Sequence, residues 1–321
     1  MDGLVEPPVQ VGQLARGGVE VEVGRDVGSL AGLGTHLGLL VRVRLGPWVN
    51  VVPVTSPSMR RISLDPAPLA ALAPDLVVEL LETTTSTNAV GAERARAGAA
   101  EGLVVVAEHQ TAARGRLDRT WEAPPRSSLV FSLVLRPTVP LAHWPWLPLL
   151  TGLTVASTLR AEGYDAGVKW PNDVLIGDRK LVGILVERVE TPDGPAAIVG
   201  IGINVSLTVA DLPVPTATSL AIESGAEPDR TALLVVLLRA LREAYDAWQA
   251  GGDRATDELR TAYAAACVTV GRDVRVELPG DAVLTGRATG VDPGGRLVVA
   301  GPGGDTVVGA GDVVHVRAVD R

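Results

Sequence analysis

The hairpin predicted over residues 166–189 constrains the fold more than any other stretch of this sequence. Apolar residues at 166–168 and 174–176 predict one short strand, Gly177-Asp178 a tight turn, and residues 181–189 the antiparallel partner. The first strand carries the polar run Lys169-Trp170-Pro171-Asn172-Asp173. A lysine, an asparagine and an aspartate therefore lie close together on a strand whose neighbours are apolar.

Lys169 is the first candidate for chemistry. Burying its stem near a sheet is costly unless an anion meets the ammonium group. The alternative is a surface hairpin whose polar residues face water. This stretch alone does not decide between the two interpretations.

A second polar stretch, the cationic loop (residues 110–121), follows an apolar strand predicted at 103–107. Arg114, Arg116 and Arg119 surround Gly115, and their forked donors suit phosphate or carboxylate, while the glycine frees the backbone to wrap a ligand. Trp121 closes the run and could stack on a flat base. Most basic loops are solvated, but one that follows an apolar strand and ends in tryptophan favours an anion site.

The charge and cysteine content exclude several classes of protein. A net charge of -8 and a pI near 5.1 argue against nucleic-acid binding as the main function, so the arginine clusters would bind small anions. The single cysteine, Cys267, excludes an internal disulfide framework and a Cys-based zinc site. Neither a membrane span nor a signal peptide is recognisable. We therefore expect a cytoplasmic protein without nucleic-acid or membrane partners.

Residues 1–66 show neither a helical stripe nor strict alternation, and glycines recur through them. Such a segment loses much entropy on ordering, so we expect a poorly ordered leader or short strands. Met59 precedes the more regular part of the chain, and a true start there is a further hypothesis.

Residues 67–267 predict alternating strands and helices. Ser86 or Thr87 is placed to cap a helix, and Trp144 and Trp146 are expected in packing roles. Gly200 and Gly202 interrupt an apolar strand, which indicates close approach by another group. The predicted strands are 76–81, 103–107, 128–135 and 196–205, and the predicted helices are 68–72, 88–99, 142–162, 229–248 and 253–267.

The sequence from residue 268 onward predicts short strands and no helices. Short apolar or alternating runs are separated by Pro-Gly turns, a pattern typical of a small barrel. The runs are 274–278, 282–291, 296–300 and 305–316.

Several of these motifs together resemble the bacterial biotin protein ligases. Agreement of several motifs in order and approximate spacing is far more specific than any one of them. The resemblance covers roughly residues 76–317 and not the first sixty or so. It rests on Ser86-Thr87-Asn88, the cationic loop, Lys169 to Asp173, Arg179 to Leu185 and Gly200 to Asn204.

The resemblance implies an α+β fold. A mixed-sheet catalytic domain of the biotin/lipoate ligase (class II synthetase-like) type would span residues 67–267, and an SH3-like barrel residues 268–321. Some members carry an N-terminal winged helix, which needs capped amphipathic helices and a basic recognition helix. We find no such pattern, so the chain resembles the actinobacterial type without a DNA-binding domain, and we expect no repressor function.

The resemblance also implies roles for individual residues. Lys169 and Arg116 are the expected catalytic residues. Magnesium is expected with ATP, held mostly by phosphates and waters, with Asp173 as the candidate ligand. The expected biotin-binding residues are Ser86, Thr87, Asn88, Gln110, Arg114, Gly115, Arg116, Lys169, Gly200 and Gly202. The expected ATP-binding residues are Arg116, Arg119, Trp121, Asn172, Lys180, Asn204 and Arg317.

The implied reaction has two steps. Biotin's carboxylate attacks the α-phosphorus of ATP, and then a lysine of a biotin carboxyl carrier protein or domain of an acyl-CoA carboxylase attacks the acyl carbon. Ala113 and Asp118 depart from the family's usual residues, so altered loop closure is expected. Three alternatives stay open: a lipoate-protein ligase, a bifunctional ligase and biotin-operon repressor, and an inactive homologue.

Overall fold

The computed structural model of the chain divides into two compact units, residues 1–60 and 61–321. It describes residues 61–72, 75–116, 119–278, 282–309 and 311–315, except for the side chain of Asp312. Of the residues before 61, it describes the backbone of three strands. No helix of these described residues is long and apolar enough to cross a membrane.

The first unit contains a three-stranded antiparallel sheet. Its strands are β1 (Glu20–Arg25), β2 (Leu39–Leu45) and β3 (Trp48–Val54), in that order. Met59, the hypothetical late start, lies outside the described residues. The domain boundaries after residues 66 and 267 stay predictions.

The second unit is built on a seven-stranded mixed sheet in the order β4-β5-β6-β10-β9-β8-β7. Only β4 and β5 are parallel, and every other neighbouring pair is antiparallel. This confirms the α+β, mixed-sheet prediction. In chain order the elements are α1 (Pro66–Ala70), β4 (Val77–Leu81), α2 (Thr87–Arg96), β5 (Leu103–Ala107), β6 (Ser128–Leu135), α3 (Trp146–Ala161), β7 (Ala166–Lys169), β8 (Asp173–Ile176), β9 (Arg179–Val189), β10 (Ala196–Asn204), α4 (Leu220–Ser224) and α5 (Arg230–Ala266).

Five antiparallel strands follow α5 and form the small C-terminal barrel that the turn pattern predicts. Their order is β14-β13-β12-β11-β15. The indole nitrogens of Trp146 and Trp170 donate to the carbonyls of Pro293 and Gly295, at 2.9 and 3.0 Å, so barrel and sheet share one core. The strands are β11 (Asp273–Glu277), β12 (Val283–Val291), β13 (Leu297–Gly301), β14 (Gly304–Val308) and β15 (Asp312–His315).

The two faces of the large sheet differ in side-chain size. On one face, Phe131 of β6 and Ile201 of β10 join the main core with residues of α3 and α5. On the opposite face α2 covers Val134 and Ile198. Successive side chains of a strand alternate between faces, so small residues along this second face would leave space beside α2.

Two of the predicted strands are each divided into two strands in the structure. Residues 170–172 form a turn between β7 and β8, which contains a cis Trp170-Pro171 bond. Pro171 has no N–H for a sheet ladder, and the Asn172 side chain instead donates to the Ile184 carbonyl at 2.7 Å. The predicted run 305–316 divides into β14 and β15, which pair with different neighbours.

The helix limits also differ from the prediction by one to four residues, most of all at the start of α3. The helix predicted from Ala142 begins at Trp146, because Pro145 lacks the N–H that an interior helical position needs and stands at the N-cap. The two helices predicted at 229–248 and 253–267 are the two parts of α5, which a kink at Gly252 (φ 54°) separates, so this division is confirmed.

Candidate active site

A cavity of about 140 Å³ opens beside α2, on the face of the sheet opposite the main core. It brings together fourteen of the residues predicted for the site: Ser86, Thr87, Asn88, Gln110, Arg114, Gly115, Arg116, Arg119, Trp121, Asn172, Asp173, Lys180, Gly200 and Gly202. Three elements supply most of them: the start of α2, the cationic loop and the β7–β8 turn. Motifs far apart in sequence therefore meet at one opening.

Glycines form the floor of this cavity. Gly202 of β10 pairs with Gly183 of β9, and added Cβ atoms there would lie 2.9 and 3.0 Å from the Trp121 ring. An added Cβ at Gly200 would overlap the side-chain amide of Asn88. The close approach predicted at Gly200 and Gly202 is thus made by two side chains of the protein.

The start of α2 forms one end of the cavity, the ring subsite (Ser86, Thr87, Asn88 and Gln110). Ser86 is the N-cap, and its Oγ accepts from the Ala89 N–H at 3.5 Å, as the capping prediction required. The Gln110 Oε1 accepts from the Thr87 backbone N–H at 2.7 Å. Gln110 is brought there because an isolated bridge to Thr84 continues the β4–β5 pairing.

Asn88 is only 5% exposed, and hydrogen bonds hold its amide at both ends. The Oδ1 accepts from the Ser132 hydroxyl at 2.6 Å. The Nδ2 donates to the Leu185 carbonyl at 3.2 Å and to Glu187 Oε2 at 2.7 Å. Glu187 also pairs with Arg114 of the cationic loop at 3.4 Å.

The described part of the cationic loop folds back on itself and across the cavity. The Gly115 N–H donates to the Arg119 carbonyl at 2.6 Å, and the Trp121 N–H to the Ala113 carbonyl at 3.2 Å. The Arg116 guanidinium donates to Asn172 Oδ1 at 2.9 Å and to the Gly311 carbonyl at 3.4 Å. The loop is therefore tied to both the β7–β8 turn and the barrel. Asp118, whose effect on closure was predicted, lies outside the described residues.

Lys180 and Trp121 form the opposite end of the cavity. The ammonium of Lys180 is 2.7 Å from Asp173 Oδ1 and 5.8 Å from the centroid of the Trp121 ring. The indole Nε1 of Trp121 is buried without a hydrogen-bond partner among the described residues. A buried donor, an aromatic face and a cation therefore lie side by side.

Three predicted site residues are not among those lining the cavity. Lys169 ends β7 opposite Asp173 in the β7–β8 pair. Asn204 is buried, and its Nδ2 donates to the Thr218 carbonyl at 2.9 Å. Arg317 lies outside the described residues.

The surroundings of Lys169 also include His315 of β15. Burial, and then the charges of Lys169 and Arg272, lower the pKa of His315 to about 4. At neutral pH this ring is uncharged. Its Nε2 lies 3.1 Å from the Thr269 hydroxyl, which accepts from the Trp170 N–H at 3.3 Å. The barrel thereby contacts the β7–β8 turn next to Lys169.

The sequence prediction missed several residues at the site. Gly183 carries the same signal as Gly200 and Gly202, a glycine inside an apolar strand, and could have been found. Ser132, Glu187 and Gly311 carry no local signal, because only tertiary contacts bring them here. Among the described residues, no group of three or more His, Cys, Asp or Glu could hold a metal ion. Asp173 is the single carboxylate among the described residues that line the cavity.

Comparison with known proteins supports one family. The model of the "Biotin/lipoate A/B protein ligase family" matches residues 80–204, and that of the "Biotin protein ligase C terminal domain" matches residues 269–316. The biotin--[acetyl-CoA-carboxylase] ligase of Mycobacterium tuberculosis is 40% identical over 246 residues, which are 75% of this chain and 89% of the relative. The enzyme of that name from Paracoccus denitrificans is 32% identical over 73% of this chain and 98% of its own length.

A solved structure agrees with the fold. The biotin protein ligase from Aquifex aeolicus in complex with biotin and ATP matches with a TM-score of 0.64 at 27% identity, covering 75% of this chain and 99% of that one. Because the two family models match the sheet and the barrel, and the two relatives match over most of their own length, the chain belongs to the biotin protein ligases of the biotin/lipoate A/B protein ligase family.

Proposed function

We propose that this protein activates biotin with ATP to biotinyl-5'-AMP and then transfers biotin to a specific lysine of a biotin carboxyl carrier protein or domain. The names of its relatives, biotin--[acetyl-CoA-carboxylase] ligases, support the overall reaction and a carboxylase carrier. The related structure that contains biotin and ATP supports the two small substrates.

The observation that carries the proposal is the hydrogen-bonding polarity of the ring subsite. Ser132 has one hydroxyl hydrogen and must donate it to Asn88 Oδ1, which cannot donate. The 2.8 Å contact between Ser132 and Thr87 then requires Thr87 to donate. Thr87 Oγ1 and Asn88 Oδ1 are left as acceptors toward the cavity.

Gln110 and Ser86 supply the complementary donors. Because Gln110 Oε1 accepts from the Thr87 N–H, its Nε2 is the end that can donate to a ligand, and it donates to no described residue. The Ser86 oxygen accepts from Ala89, so its hydroxyl hydrogen can also be donated. Two acceptors and two donors match a cyclic urea, which offers two N–H groups and one carbonyl. The dithiolane ring of lipoate has no N–H, so it would leave buried acceptors unsatisfied.

The remaining walls suit the nucleotide. Displacement at phosphorus needs cations where charge builds up and little covalent work by the protein. We assign Lys169, which does not line the cavity but lies opposite Asp173 of its wall in the β7–β8 pair, to biotin's carboxylate and the α-phosphate. Arg114 and Arg116 are assigned to the adenylate, and Arg119 and Lys180 to the phosphates. Trp121 would take the adenine, with Asn172 beside it, and Asn204, whose Nδ2 is held by the Thr218 carbonyl, stays a predicted ATP-binding residue.

Magnesium fits this wall as a partner of the nucleotide. Asp173 is a single carboxylate, which suits an ion held mainly by phosphates and waters. Bound there, the ion would neutralise phosphate charge beside the Asp173 carboxylate, whose Oδ1 pairs with Lys180.

In each of the two steps, one bond forms as another breaks. The biotin carboxylate oxygen bonds to the α-phosphorus as the bond to the β-phosphate oxygen breaks, which releases pyrophosphate. The carrier lysine nitrogen then bonds to the acyl carbon, AMP leaves, and the amine loses a proton. Arg116, which spans the cavity, would keep water from the mixed anhydride between these steps. A cytoplasmic location and the absence of nucleic-acid partners stay predictions.

ATP-pyrophosphate exchange with biotin and with lipoate tests the proposal. We expect exchange that requires biotin and ignores lipoate, and its loss in Lys169→Ala while the circular dichroism spectrum is unchanged. Exchange with lipoate alone would move the protein to the lipoate ligases, and exchange with neither acid would favour an inactive homologue. Wild-type exchange in Lys169→Ala would end the assignment of that lysine.

A further inference from the structure

The ring subsite depends on two residues that are not among the described residues lining its cavity. Ser132 lies in the middle of β6, fully buried beneath α2, where the other central residues of the strand are apolar. Glu187 lies on β9 beyond the side chain of Asn88. Both touch the subsite from behind, so neither contacts a ligand in the cavity directly.

Glu187 determines which way the Asn88 amide faces. A carboxylate and a backbone carbonyl only accept hydrogen bonds, and Glu187 and Leu185 present two such acceptors to the same end of Asn88. A rotated amide would bring its oxygen against both of them. The Nδ2 end must therefore face β9, and the Oδ1 end must face Ser132 and the cavity.

Ser132 determines where the Thr87 hydroxyl hydrogen points. Because the only hydrogen on Ser132 Oγ goes to Asn88, the Thr87 hydrogen is drawn to Ser132 at 2.8 Å. Without Ser132, that hydrogen could turn to Gln110 Oε1 at 3.2 Å or toward the ligand. In the second position an O–H would face the N–H of a cyclic urea, and two donors would meet.

We propose that Ser132 and Glu187 are positioning residues that make Thr87 and Asn88 hydrogen-bond acceptors for a cyclic-urea ring, and so select the biotin ring over rings without N–H groups. The inference rests on the proposed function and deepens it. Glu187 has a second task, because its other oxygen pairs with Arg114 and connects the ring subsite to the cationic loop.

The test for Ser132 compares two serines. Ser132→Ala removes the shared hydroxyl, and Ser206→Ala removes an equally buried hydroxyl that has no hydrogen-bond partner among the described residues and does not line the cavity. We expect Ser132→Ala to raise the KM for biotin in the exchange assay by about tenfold or more, with the KM for ATP and kcat within about twofold. Ser206→Ala should match the wild type in all three.

The test for Glu187 uses a graded pair. Glu187→Gln keeps an oxygen that can accept from Asn88, whereas Glu187→Ala does not. We expect the KM for biotin to rise clearly more in the alanine variant. Equal effects of the two variants would show that only the charge facing Arg114 matters, and would overturn the role assigned through Asn88.

The outcomes separate the inference from the proposed function. If the wild type shows no biotin-dependent exchange, the proposed function fails. If the wild type is active but Ser132→Ala resembles Ser206→Ala, or loses kcat and affinity for ATP as much as affinity for biotin, the positioning role of Ser132 is wrong.

Discussion

Arg116 shows how one side chain can join regions that are distant in sequence. Its guanidinium bonds Asn172 in the β7–β8 turn and the carbonyl of Gly311 in the barrel, while its backbone belongs to the cationic loop. A planar group with five donors suits this bridging position, which a lysine could not fill in the same way. The residue identity therefore matters beyond its charge.

We expect Arg116→Gly to retain adenylate formation but to weaken retention of biotinyl-5'-AMP, because both contacts across the cavity are lost. The measurement is labelling of a bystander protein's lysines at matched rates of adenylate formation. Bystander labelling no higher than that of the wild type would contradict the closing role of Arg116.

His315 provides a pH-dependent contribution to stability. Its pKa is about 4 in the folded chain against 6.5 for the ordinary group, so the unfolded chain binds the proton first as pH falls. Stability from this residue is complete above about pH 6.5 and is lost toward pH 4. Since the ring is half exposed and solvent screens it, we expect the His315 contribution to the unfolding free energy to be about 1–2 kcal/mol.

Urea unfolding at pH 7 and pH 5 checks this expectation. His315→Gln should reduce the difference in unfolding free energy between the two pH values relative to the wild type. An unchanged difference would mean that folding does not lower the pKa of His315.

At the scale of elements, β9 and β10 form the cavity floor with glycines, which have no side chains. Their core-facing positions are large and apolar, whereas Gly183, Gly200 and Gly202 stand on the other face. Helix α2 covers part of that face, and Asn88 and Trp121 lie on the bare backbone. The alternation of one sheet thus supplies a core on one side and a cavity floor on the other.

Gly200→Ala tests this division. The added methyl group would overlap the Asn88 amide, so we expect the KM for biotin to rise about tenfold or more while the protein stays folded. Gly290→Ala is the matched control, since it also lies in a strand and its Cβ would meet nothing within 4 Å. Equal kinetics for the two variants would contradict the floor role of Gly200.

At the scale of the whole second unit, a buried ion pair connects the start of α5 to the strand that leads into the cationic loop. Arg230 and Glu108 meet at 2.6 Å with side chains only 5% and 2% exposed. Arg230 also donates to the carbonyls of Ser128 and Ile62, and the Leu64 N–H donates to Glu108. Residues 62–64, which precede α1, are thereby held to the sheet.

Arg230→Ala leaves a buried carboxylate without its partner, so we expect a loss of about 3–5 kcal/mol in unfolding free energy. Arg254→Ala, on the same helix, removes an exposed pair with Glu258 and should cost less than about 0.5 kcal/mol. Urea denaturation measures both. Similar losses in the two variants would contradict the buried-pair role.

The sequence by itself determined most of the elements and the membership of the site. Strands β5 and β6 have the predicted limits, because apolar runs bounded by turn residues are local signals. The motifs that resemble the family supply fourteen residues of one cavity, since each motif keeps its chemistry in a short stretch.

Only the tertiary structure decided how those residues are used. Asn204 and Thr218, or Ser132 and Asn88, meet because strands and helices pack together, and no local pattern encodes such pairs. The bond of Asn172, in the β7–β8 turn, to the Ile184 carbonyl likewise joins residues of different segments. The direction of each hydrogen bond in the ring subsite depends on partners from four separate segments, so it could be determined only after the chain was folded.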